Sequence, residues 1–209
     1  MSISWEEAEF LLQIARDAAG GAGFVERFSA ISDGLLALIP GVALSAALID
    51  PAPTASRARA LFRNQDPESL EQYLSHYRLS DPMGHGIDEA RGTALTLSDC
   101  IRDREFGRDA FTGELLPRLG VRYILGIAVP LPRGERLAIA MHRPRALGDF
   151  TRKERRLIEI VGADLGRAAL GSLLRERLEE IARAQPGALD ARAGVLVIQD
   201  GEVDFADPG

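Results

Sequence analysis

Cysteine is all but missing from this 209-residue chain, and Cys100 stands alone. No intramolecular disulfide and no cysteine-based zinc cluster can therefore form. Lysine is nearly missing too: Lys153 is the only one among 25 basic residues, a bias that reads as a GC-rich codon effect rather than a phosphate-binding design. Against 31 acidic residues the net charge is -6. Phosphate neutralisation needs a positive surface, so this chain is not expected to bind nucleic acid by itself. No apolar run approaches the roughly 18 residues of a membrane span. The N-terminus, MSISWEEAEF, is acidic where a secretory signal is basic. These absences point to a cytoplasmic chain without a membrane partner.

Catalytic and metal-binding patterns are also absent. The sequence carries no GxSxG elbow, no phosphate-binding loop and no paired-carboxylate motif, and no enzyme activity is expected. His76, His85 and His142 have no metal-ligand spacing, so neither a metal nor a cofactor is predicted. The run from Asp99 through Arg102, Asp103, Arg104 and Glu105 reads as a solvated charged surface.

Hydrophobic content of 46% with 27% charge is ordinary for a soluble globular chain able to bury a core. Ser4 and Glu7 have capping-box spacing, and Trp5, Ala8, Leu11, Leu12 and Ala15 predict a first helix ending at Gly20-Gly21. Phe24, Phe28, Ile31, Leu35 and Leu38 predict a second, stopped by Pro40-Gly41. Val42 to Asp50 reads as a buried strand and Ala58 to Arg63 as a weaker one. Asp66-Pro67 opens a helix to about Arg78. The following glycine-flanked stretch, PMGHGIDEARG, reads as a loop. Phe106, Phe111, Leu115, Leu116 and Leu119 are spaced for a helical face that Pro117 breaks. VRYILGIAVPL and RLAIAMHR, on either side of Pro132-Arg133-Gly134, form an antiparallel hairpin.

Thr151 and Glu154 make another capping box, and a helix runs on to about Arg183 past Gly162, Gly166 and Gly171. At 1.5 Å per residue such a helix is about 50 Å long, so part of it is expected to project. Ile158, Val161, Leu165 and Ala168 repeat at three and four residues and are the candidate dimerisation stripe. The tail AGVLVIQDGEVDFADPG reads as strand, tight turn, strand, resembling the opening hairpin of a PAS-type domain. The expected layout is α+β: an antiparallel sheet with flanking helices, a long C-terminal helix and a terminal hairpin. Its parts are an N-terminal helix (1–22), a sensor domain (23–150), a linker and dimerisation helix (151–187) and the hairpin (188–209).

Several segments carry a family resemblance: Tyr77 to Pro82 within YLSHYRLSDP, Glu105-Phe106 with Phe111, Leu119-Gly120, and the hairpin from Ile124 to Met141. Over roughly Phe24 to Ala169 the chain resembles the GAF-like sensor half of bacterial LuxR-type transcriptional regulators. The resemblance implies a ligand- or partner-responsive sensory domain that signals through a homodimer to a helix-turn-helix beyond this chain, with an unknown small molecule as a possible ligand. The expected pocket lies between the sheet and the segments Tyr73 to Ile87 and Phe106 to Leu116. Tyr73, Tyr77, Phe106, Phe111 and Tyr123 are its candidate walls and Asp81 its candidate polar anchor. In acyl-homoserine-lactone sensors of this fold, an Asp in a similar Y...DP setting accepts a hydrogen bond from the ligand amide and an upstream Trp contacts the lactone. Here Glu68, Ser69 and Leu70 occupy that stretch and the lone tryptophan is Trp5, which counts against a lactone.

One plainer reading competes with ligand sensing, and two readings of Cys100 are set aside. Asp81 before Pro82 also fits a plain helix-terminating turn. A GAF-type methionine-sulfoxide reductase needs a resolving thiol, which one cysteine cannot supply. A bilin site would need a histidine beside its cysteine, whereas Cys100 lies in LSDC. The alternative function is a GAF-fold dimerisation scaffold whose cavity is filled by its own side chains.

Overall fold

A computed structural model describes residues 4, 8–13, 16, 24–49, 59–64, 67–90, 92–184, 196–199 and 202–206. Two compact units divide it, Met1–Leu170 and Gly171–Gly209.

The first unit is built on a five-stranded antiparallel sheet. Its strands are β1 (Ala43–Ile49), β2 (Arg59–Arg63), β3 (Leu95–Thr96), β4 (Tyr123–Pro130) and β5 (Arg136–Arg143). They lie in the order β2-β1-β5-β4-β3. The β4–β5 hairpin is as expected, with Pro132–Gly134 as a single 3-10 turn at its tip. The two-residue β3 was not foreseen, because so short an edge strand leaves no periodic signal.

Opposed residues of an antiparallel pair share a face, and alternate residues change face. One face carries Leu44, Ala46, Leu125, Ile127, Leu137, Ile139 and Met141, all buried. The long helix, Arg152–Ala184, packs on it through its part within this unit, up to Leu170. A Cβ added at Gly162 would stand 3.1 Å from Ile127 Cδ1, and one at Gly166 only 2.5 Å from Val129 Cγ1. These glycines are therefore contact points that let the helix axis approach β4, not merely tolerated weak spots. Burial of about 25 cal/mol per Å² of apolar surface along this face makes it the main core of the unit.

The opposite face is different in kind. Ser45, Ala47, Gly126, Ala128, Ala138 and Ala140 line it in register across β1, β5 and β4. Ser45, Ala47, Ala138 and Ala140 remain only half-buried. At Gly126 the helix Pro82–Glu89 comes down on this face, and an added Cβ would meet Ile87 Cδ1 at 2.7 Å and Met83 Cε at 2.9 Å.

That helix corrects one expectation: PMGHGIDEARG is not a loop over Pro82 to Glu89. Asp81 caps it, with its Oδ1 accepting from the Met83 backbone N–H at 2.9 Å, and Pro82 takes the first turn. Cap and proline, together with burial of Met83, outweigh the cost of Gly84 and Gly86. The segment after Asp66 starts as an α-helix (Pro67–Gln72), widens into a π-helical turn (Tyr73–Tyr77) and tightens to a 3-10 turn (Arg78–Ser80). A second π turn, Phe111–Leu115, precedes a short α turn at Leu116–Arg118, where Pro117 begins the turn instead of breaking a helix.

At its N-terminal end the long helix is tied to the sheet. Thr151 and Glu154 form the predicted capping box, and the nearly inaccessible Arg143 guanidinium donates to Glu154 Oε1 at 2.6 Å and to the Pro40 carbonyl at 2.7 Å. The helix Phe24–Leu38 packs along β1 and β2 through Phe28, Ile31 and Leu35.

In the second unit, β6 (Leu196–Gln199) and β7 (Glu202–Ala206) pair antiparallel as the tail predicts. The Asp200-Gly201 turn between them lies outside the described residues.

Candidate functional site

The first element of the candidate site is the Asp81 carboxylate. Its Oδ1 is held by the cap bond to Met83, and its Oδ2 accepts from the Tyr73 hydroxyl at 2.8 Å. Both residues are half-buried. Burial pushes the Asp81 carboxyl above the usual carboxylate range, against the hydrogen bonds from Met83 and Tyr73, which favour the charged form. The Tyr73 phenol is driven well above its ordinary range, first by burial and then by the adjacent Asp81 charge, with Arg78 and Arg136 opposing. Tyr73 is thus a neutral donor locked onto Asp81.

Tyr73 and Phe111 meet edge to face, with ring centroids 6.0 Å apart. One aromatic comes from each π turn. A π turn swings its side chains out of the regular helical register, which is how two helical segments far apart in sequence converge here. Phe111 is buried with Met83, Leu97, Leu115, Leu116, Val121 and Ile124, and Tyr73, Tyr77, Phe106 and Ala140 pack against that cluster. Tyr77 donates to Glu114 Oε2 at 3.4 Å near the surface. The Arg122 guanidinium lies 3.8 Å from the Phe106 ring centre and pairs with Asp103.

Five of the six predicted wall and anchor residues are therefore brought together: Tyr73, Tyr77, Asp81, Phe106 and Phe111. Tyr123 is not among them. It alternates with Ile124 along β4 and so stands on the opposite face, beside Arg122. The dimerisation stripe is corrected as well. Ile158, Val161 and Leu165 are buried within the first unit, because this side of the helix lies on the chain's own sheet and is not an open surface. The side chain of Ala168 lies outside the described residues.

Beside the cap of the Pro82–Glu89 helix is an open cleft of about 430 Å³, lined by Pro82, Gly86, Ala90, Leu95, Asp99 and Cys100. Burial, and then the Asp99 and Asp81 charges, push the Cys100 thiol up, so little of it is thiolate at neutral pH. Asp99 has the opposite balance: burial raises its carboxyl, but hydrogen bonds from Thr96 and Arg155 bring it below the ordinary value. Among the described residues no three His, Cys, Asp or Glu side chains gather into a metal-binding group. No helix among them is long and apolar enough to cross a membrane.

Comparison with solved structures fits this architecture. CepR2 of Burkholderia cenocepacia, an N-acylhomoserine lactone dependent LuxR family transcription factor, superposes with a TM-score of 0.61 at 14% identity, over 84% of this chain and 99% of that one. SdiA in complex with octanoyl-rac-glycerol, a protein also solved from Escherichia coli, gives 0.60 at 18%, over 85% and 69%. The GAF domain of the Acinetobacter phosphoenolpyruvate-protein phosphotransferase gives 0.57 at 14%, over 82% and 97%. The fold is GAF-like, shared with these solved structures. No protein-family model and no curated protein matches the chain in sequence.

Within this GAF-like domain, the small-residue sheet face was not foreseen. The alternation in RLAIAMHR, with alanines at 138 and 140 between Leu137, Ile139 and Met141, was the available signal for a smooth sheet face backed by a filled one.

Proposed function

We propose that this chain is the sensory domain of a LuxR-type transcriptional regulator. On this reading a small amphipathic molecule binds between the small-residue sheet face and the segments Tyr73 to Ile87 and Phe106 to Leu116. One observation carries it: the face toward the long helix is filled with leucine, isoleucine and methionine, whereas the face toward these segments is floored by Ser45, Ala47, Gly126, Ala128, Ala138 and Ala140. A sheet that only had to fold would gain by carrying larger side chains on both faces. The neighbours support the class of ligand, one being described as lactone-dependent and one as holding octanoyl-rac-glycerol. Signal output passes through a homodimer in the cytoplasm.

Asp81 differs from a simple ligand anchor. Its two oxygens already serve Met83 and Tyr73, so a ligand hydrogen-bonds either to a remaining lone pair or after Tyr73 has turned away. The scaffold reading keeps its own observation, the packing of Tyr73, Tyr77 and Phe106 against the Phe111 cluster. Thermal melting against octanoyl-rac-glycerol, N-acylhomoserine lactones and a wider metabolite panel separates the two. A true ligand at a hundredfold excess over Kd adds about 2.7 kcal/mol, and a filled scaffold shows no shift with any of them.

A further inference from the structure

The two walls of the open cleft are not equally firm. One wall, the Pro82–Glu89 helix, is braced from behind because Met83 and Ile87 sit on Gly126 of β4. The other is the four-residue turn Leu97–Cys100, hung on the two-residue edge strand β3, which among the described strands pairs with β4 alone. The walls already touch: a Cβ at Gly86 would stand 3.1 Å from Cys100 Sγ. A group wedged between Gly86 and Cys100 therefore moves the turn more readily than the braced helix.

The turn is fastened to the long helix. Asp99 Oδ2 accepts from the Thr96 backbone N–H (2.8 Å), the Thr96 hydroxyl (2.9 Å) and Arg155 Nη1 (2.6 Å). Arg155 Nη2 returns a bond to Thr96 Oγ1 at 3.0 Å, closing the ring. One turn along, Glu159 Oε1 accepts from the Ala94 backbone N–H at 3.2 Å. Asp99 and Arg155 side chains are 35% and 29% exposed, and Thr96 is fully buried, so the ring is partly shielded from water.

We propose that the Thr96–Cys100 turn is a latch, carrying displacement in the cleft to the first turns of the long helix through Asp99 and Arg155. The proposal rests on the sensory reading for its purpose, because a sensor must alter an output element and the long helix is the element to which this wall is tied.

Hydrogen–deuterium exchange on the unliganded protein tests it. Cys100→Met places a longer side chain in the cleft, and Cys100→Ser serves as the neutral control. Cys100→Met is expected to speed exchange over residues 152–160 about tenfold, and Arg155→Met to speed it similarly. The double variant should go no further than either, the signature of one shared link. Wild-type exchange over 152–160 in a folded Cys100→Met protein, or additive effects in the double variant, overturns the proposal. If Cys100→Met does not fold, methylthiolation of Cys100 in the native protein supplies the same wedge and is read the same way. No ligand enters this test, so a failed ligand search and a failed latch remain separate results.

Discussion

Asp81 is at once a helix cap and the partner of a buried phenol, and the two roles set what its loss does. Asp81→Ala removes a cap worth about 0.5–2 kcal/mol and leaves the Tyr73 hydroxyl without an acceptor, a further ~1–3 kcal/mol. The unliganded protein is therefore expected to melt well below wild type. Tyr73→Phe, which keeps the ring against Phe111 and frees one carboxylate oxygen, should cost far less. Equal melting temperatures for Asp81→Ala and wild type would contradict this assignment. A second residue-scale prediction concerns His142, whose imidazole burial holds down to about 4. The folded chain then keeps it neutral where the unfolded chain protonates near 6.5, so stability falls as pH drops from about 6.5 toward 4, at up to ~1.4 kcal/mol per pH unit. Below that window Glu154 and Asp99, whose carboxyls are held below their ordinary values, add a second loss as pH falls through their folded values. His142→Phe should flatten only the upper window in urea titrations at pH 4.5 to 7.5.

At the scale of elements, the long helix is the most specific object in the fold. Gly166→Ala drives a methyl into Val129 and should destabilise by about 1–3 kcal/mol, whereas Gly171→Ala, with nothing within 4 Å, should stabilise by about 0.5–1 kcal/mol. Paired denaturant melts check both signs. Leu165→Arg, at a position 1% exposed, should unfold the domain and not simply separate subunits. The hairpin, β1, the Phe24–Leu38 helix and the capped start of the long helix follow from period and caps, because each rests on local chemistry. The Pro82–Glu89 helix was hidden by its two glycines, whose cost the Asp81 cap, Pro82 and the tertiary burial of Met83 on Gly126 together outweigh. The convergence of Tyr73, Asp81 and Phe111 was foreseen as a grouping. The error over Tyr123 came from the phase of β4, which is apolar on both sides and so gives no alternation from which to read its faces. The stripe of Ile158, Val161 and Leu165 has the same periodicity whether it faces a partner or the chain's own sheet.

For the whole molecule, the two faces of one sheet divide the labour: one builds the core with the long helix, the other is kept smooth beneath Tyr73, Phe111 and the Pro82–Glu89 helix. If output passes through a dimer, light scattering should give twice the monomer mass at micromolar concentration, with an interface formed by surfaces other than the buried stripe. The most direct test of the sensory account is one substitution on the smooth face. Ala138 lies between Ala47 and Ala128 on the smooth face, half-buried. Ala138→Leu fills space that the account reserves for a guest. Thermal melting of this variant should match wild type within about 2 °C while abolishing the shift given by whichever compound stabilises the wild type. A fall in unliganded stability of about 1–3 kcal/mol, the ordinary cost of overpacking a filled core, would contradict the account and leave the scaffold reading in its place.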